Sequence, residues 1–220
     1  MLHFRFMGFP VRVHWMFWVV SILLSGALSM GGRDSLVQIL VWLPVVFVSI
    51  LWHELGHAQA HRKYGGYPDI LLHGMGGLCS GTGRFTRQES MWITAAGPAA
   101  SVCLYGVAFL IAELRGYPVS GGLFLREVNL ESRILQDFLW VNGFWTLFNI
   151  LPVLPLDGGQ FFQAYMANRN PRLPIQVGLV TAIGVAVWAV SVGMLYLGFF
   201  FGYLAYTNWQ RSRGTHGGFW

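Results

Sequence analysis

Four stretches of this chain contain no Asp, Glu, Lys or Arg: Val13–Met30, Ser35–Trp52, Ser90–Ala112 and Phe138–Leu156. A fifth, Leu173–Gln210, is free of them over 38 residues. Runs like these constrain the fold more than any motif. Without water, a spanning segment must pair its backbone polar groups internally, and a helix does this alone. About 20 residues carry a helix across a hydrocarbon core about 30 Å thick. As one straight helix the fifth run would reach roughly 57 Å, so it is expected to fold back near Gly193–Gly198 and cross twice. The expectation is an all-α polytopic membrane protein with about six transmembrane helices.

Composition agrees, with 55% hydrophobic and 10% charged residues, against about 25% charged in soluble domains. The net charge of +5 does not indicate nucleic acid, because the 14 basic residues are scattered between apolar runs. They suit a membrane surface instead. Cys79 and Cys103 lie in apolar sequence and form no disulfide framework. Arg5 and Arg12 followed by an apolar run ending in "SGALS" also resemble a signal peptide; the run is taken here as the first crossing. With six crossings, one side carries Arg5, Arg12, Arg62, Lys63, Arg84, Arg87, Arg169, Arg172, Arg211 and Arg213. The other carries Arg33, Arg115, Arg126 and Arg133. This asymmetry places both termini in the cytoplasm.

The second crossing ends in "LWHELGHAQAHRKYG". Residues four apart share a helix face, so His53 and His57 can present ring nitrogens to one ion while Glu54 projects beside them. This is the H-E-x-x-H arrangement of zinc proteases, in which the metal holds a water and the glutamate takes its proton. The plainer alternative is a helix end whose polar residues reach water, as His61, Arg62 and Lys63 do. Ionisable groups inside a bilayer are costly and imply partners, which favours metal binding for His53 and Glu54.

A catalytic zinc site needs a third protein ligand. In "NILPVLPLDGG", Asp157 is the only acid after Asp137. The fourth crossing ends on the same side as the second, so crossing parity puts Asp157 at the depth of His53 and His57. Pro152 and Pro155 preclude a regular helix before it. Gly158 and Gly159 are expected to form a tight turn before an interfacial helix. Asn149 is a candidate for binding substrate backbone or, equally, for an interhelical hydrogen bond. For Asp157 itself the plain alternative is a helix cap.

"PDILLHGMGGLCSGTGRFT", residues 68–86, is Gly-rich with alternating apolar positions. It reads as a short β-hairpin-like re-entrant segment after helix 2, whose edge could take up an unwound substrate strand. Gly76 and Gly77 are its candidate substrate-binding residues. His14, at the start of the first crossing, reads as a histidine reaching interfacial water.

Together these residues resemble the site-2 protease family of intramembrane zinc metalloproteases. His53, Glu54 and His57 match its first motif; Asn149, Pro152, Pro155, Asp157 and Gly158 match its second. The likeness extends to "FPVRVHW", the Gly-rich segment and "AAGPAAS", where Ser101 stands in place of an Asn often found in relatives. The resemblance implies one Zn2+ per chain, a three-helix catalytic core within about residues 35–159, and peripheral helices at 13–30 and 173–210. The expected whole is a single integral-membrane protease domain over residues 1–220.

The expected activity is hydrolysis of a peptide bond near the cytoplasmic end of a substrate transmembrane helix. Its partners would be a single-pass membrane protein and the lipid bilayer, with a regulatory membrane partner or a homo-oligomer left open. The expected location is the plasma membrane, with the site towards the cytoplasm. Two other readings stay open: a catalytically inactive zinc-binding membrane protein, and a metal transporter.

Overall fold

The structure is a computed structural model that describes residues 1–29, 31–117, 119–120, 124–125 and 129–214. Met30 and Arg126, used above, lie outside the described residues. The chain divides into two compact units. One comprises Met1–Arg84 with Ala96–Thr146, the other Phe85–Ala95 with Leu147–Trp220.

The first unit opens with two strands, β1 (Leu2–Phe6) and β2 (Phe9–Val13). After helices α1 (Trp15–Leu24) and α2 (Gly32–Lys63) come β3 (Tyr67–His73) and β4 (Gly76–Thr82). The four strands form one sheet in the order β1-β2-β3-β4. β2 and β3 run parallel, with Val11 opposite Ile70 and Val13 opposite Leu72. Strand periodicity turns these four residues to one face, where they are buried in a core with Leu51, Leu55 and Ala58 of α2. Within residues 68–86, β3 and β4 pair antiparallel, with Ile70 opposite Cys79, as the outer half of this larger sheet.

The first apolar run does not form a helix over its whole length. Val13 completes a strand, and α1 has 10 residues, a reach of roughly 15 Å. Its end is set by Ser25, whose hydroxyl donates to the Ile22 carbonyl, and by Gly26 at φ +72°. Three described helices are long and apolar enough to cross a membrane: α2, α3 (Arg87–Leu114) and α6 (Leu173–Ser191). The chain is thus a multi-pass integral membrane protein, mostly helical with a small sheet.

The helix α4 (Leu130–Ile150) begins before its apolar run and stops short of that run's end. Buried and half-buried polar side chains tie α4 to α2. Arg133 donates to the Gln38 side chain at 2.9 Å, and Asn142 donates to Ser49 Oγ at 2.9 Å. In apolar surroundings such bonds fix helix rotation, because an unpaired polar group there is costly.

In the second unit, α5 (Asp157–Met166) precedes α6 and α7 (Leu195–Ser212). The expected fold-back is present: Gly193 turns at φ +81° between α6 and α7. Ala182 of α6 packs with Phe201, Leu204 and Ala205 of α7 around Val153. One expectation fails here. Gly158 and Gly159 lie inside the first turn of α5 and form no turn before it. Their role is close approach: a Cβ on Gly159 would sit 2.5 Å from the Val153 carbonyl oxygen, and one on Gly158 2.6 Å from that of Leu151.

Candidate functional site

His53, Glu54 and His57 occupy consecutive turns of α2 about 20 residues after its start, and all three are buried. The ring Nε2 atoms of His53 and His57 face each other at 3.2 Å. Two nitrogens bound tetrahedrally to zinc at 2.0–2.1 Å would stand about 3.3–3.4 Å apart. The pair is therefore spaced to share one cation before any ligand from elsewhere is considered.

The orientation of His53 has a specific cause. Its Nδ1 lies 3.0 Å from the Oγ of Ser101, a fully buried residue of α3. With Nδ1–H donating to that hydroxyl, Nε2 keeps its lone pair, the tautomer a metal ligand requires. Sequence reasoning noted Ser101 only as a departure from relatives. The signal that could have found it was its place four residues after Gly97, on the same face of a helix.

Gly97 and Gly77 make room for the motif. A Cβ at Gly97 would lie 2.5 Å from His57 Cε1 and 2.6 Å from Cδ2. On the other side, a Cβ at Gly77 would lie 2.5 Å from both Cγ and Cδ of Glu54. The α3 backbone thus walls the His57 ring, and the first residues of β4 lie directly over the Glu54 carboxylate. Gly76 adopts φ +121°, open to glycine, and approaches Trp145, whose ring stands 6.3 Å from that of His53. Since β4 ends the sheet order, it presents an unpaired edge among the described strands.

The two remaining candidates belong to the second unit. Asn149 is half-buried, one residue before α4 ends. Asp157 is the first residue of α5, after a segment held by non-helical bonds such as Val153 N to Leu151 O at 2.7 Å. It is not the N-cap, a position held by Leu156, and no side chain caps the helix there. His14 does cap a helix: its Nδ1 accepts from Met16 N at 3.3 Å at the start of α1. Burial, and then the charge of His14, lower the pKa of His73.

No protein-family model matches the chain. Zinc metalloprotease MJ0392 of Methanocaldococcus jannaschii is 26% identical over 167 residues, covering 76% of this chain and 45% of the relative. The candidate zinc metalloprotease Rip3 of Mycobacterium tuberculosis is 30% identical over 183 residues, covering 76% and 43%. The chain therefore spans less than half the length of these curated relatives. Stage IV sporulation protein FB of Bacillus subtilis is 22% identical over 225 residues, covering 94% and 67%. In fold, the chain matches the solved site-2 protease from Methanocaldococcus jannaschii with a TM-score of 0.64 at 22% identity, covering 96% of this chain and 95% of that one. A buried histidine pair spaced for a metal thus lies in a chain that shares its fold with a solved site-2 protease and is similar in sequence to zinc metalloproteases.

Proposed function

We propose that this chain is an intramembrane zinc metalloendopeptidase that hydrolyses a peptide bond near the cytoplasmic end of a substrate transmembrane helix. The observation that carries the reading is the His53–His57 pair, with Nε2 atoms 3.2 Å apart and Glu54 buried beside it. His53 and His57 hold the ion, and Asp157 supplies the third protein ligand. Support for Asp157 comes from crossing parity, from its place after a proline-broken segment, and from the family's second motif. Zinc would supply a water with its pKa lowered towards about 7 and would polarise the scissile carbonyl.

The chain's own groups do the rest. Glu54 takes the proton of the attacking water and passes it to the leaving nitrogen. Ser101 keeps the His53 ring in register. An intact substrate helix hides its carbonyls in internal hydrogen bonds, so the substrate must unwind. The free edge of β4, lying over Glu54 at Gly77, offers such a strand main-chain partners, and Asn149 is a further candidate for substrate contact. A site towards the cytoplasm and a plasma-membrane location complete the proposal; they rest on the apolar runs and the arginine asymmetry.

The test compares wild type and Glu54→Gln in detergent with a candidate helix as substrate, measuring both zinc content and product. A protease loses turnover in the variant while its zinc stoichiometry stays at one. Cleavage at the wild-type rate by the variant would overturn the reading.

A further inference from the structure

Two arginines of the second unit meet on one tyrosine. The Cζ of Arg87, at the start of α3, lies 5.1 Å from the Tyr165 ring centroid, and that of Arg169 lies 5.2 Å from it. Arg169 Nη1 also donates to the Tyr165 hydroxyl at 3.0 Å. The two positive charges therefore lie within roughly one Debye length of each other, about 10 Å at 0.1 M salt. Neither makes an ion pair among the described residues, unlike Arg12 with Asp69 and Arg115 with Glu131. The carboxylate nearest Arg87 in sequence, Glu89, accepts from Thr86 N at 2.7 Å in a capping box. Two guanidinium groups gathered on one ring without a carboxylate form an anion-binding surface.

The setting narrows the anion. Arg87 lies just before the apolar run of α3, and Arg169 lies between α5 and the apolar α6. On α5, Phe161 stands one turn before Tyr165 and is exposed; Trp92, early in α3, is 65% exposed. Aromatic rings with one polar end, followed by apolar surface, are characteristic of the headgroup level of a bilayer. The guanidinium fork matches phosphate oxygens, and the exposed aromatics match acyl chain.

We infer that Arg87, Tyr165 and Arg169 form a binding site for the phosphate headgroup of an anionic phospholipid. The site does not depend on the proposed protease activity. It anchors α5, the helix whose first residue is Asp157, to the membrane surface.

The experiment uses the purified full chain in detergent, titrated with phosphatidylglycerol or phosphatidylcholine and read by native mass spectrometry. Wild type should retain phosphatidylglycerol in preference. The double variant R87Q/R169Q should lose roughly thirtyfold of that preference, the worth of two arginines against an anionic surface. R169Q alone, at an exposed position, should lose part of it, and R115Q, which breaks an ion pair elsewhere, should lose none. Equal retention of the two lipids by wild type, or an unchanged preference in the double variant, would overturn the inference. So would displacement of the lipid by inorganic phosphate at equal concentration, since the acyl chains would then contribute nothing.

Discussion

His53, Glu54 and His57 sit deep within the 32-residue helix α2, which continues unbroken through Pro44. Asp157 instead follows six residues outside any helix, where two prolines interrupt the run from α4 to α5. The contrast separates two ways of placing a side chain. In α2 the helical period alone puts His53 and His57 on one face, and Gly97, Gly77 and Ser101 then refine what the period has done. Around Asp157 no period operates. Position depends on individual bonds to the backbone: Asn208 Nδ2 to the Leu154 carbonyl at 2.6 Å, Gln160 Nε2 to the Pro155 carbonyl at 2.8 Å, and the close approach of Gly159 to Val153.

If the helical half is held by its walls, the largest effect should follow from filling one of them. Gly77→Ala should push Glu54 from its place and lower kcat by about 10²- to 10⁴-fold, the usual worth of a general base. Zinc content should stay at one per chain, because the histidines are not touched. A variant with unchanged kcat would show that β4 does not set the position of Glu54.

Ser101→Ala removes the partner of His53 Nδ1 without altering the helix. Zinc affinity, measured by chelator competition, should fall about 10- to 100-fold, as for other second partners of ligand histidines. Ser101→Thr, which keeps a hydroxyl, should recover part of it. An unchanged affinity would mean that the period of α2 needs no help in orienting the ring.

The smallest effect should come from the junction. Gln160→Ala frees the Pro155 carbonyl at an exposed position, where water can replace the amide. Thermal unfolding in detergent should register a loss of about 1 kcal/mol or less. A much larger loss would show that single bonds dominate there more strongly than the comparison implies.

The ease with which each half was read follows from the same contrast. The H-E-x-x-H face was legible because it depends on residues four apart. The turn expected at Gly158–Gly159 was misplaced because glycine signals either a turn or a close approach, and only neighbouring backbone distinguishes them. The strands β1 and β2 were missed for a related reason. "FPVRV" alternates like a strand, yet it abuts an apolar run, and its partner, Ile70 opposite Val11, lies nearly sixty residues further along.

By itself, the sequence determined that the chain must enter a membrane, since no soluble fold hides so many uncharged runs. It also determined that two histidines share one helix face with a glutamate beside them, because both properties are local. Only the tertiary structure decided that Ser101 would hold His53, that Gly77 would lie against Glu54, and that two distant arginines would meet on Tyr165. Those outcomes depend on which surfaces approach within a few ångströms, and pairing across such distances along the chain leaves no periodic trace in it.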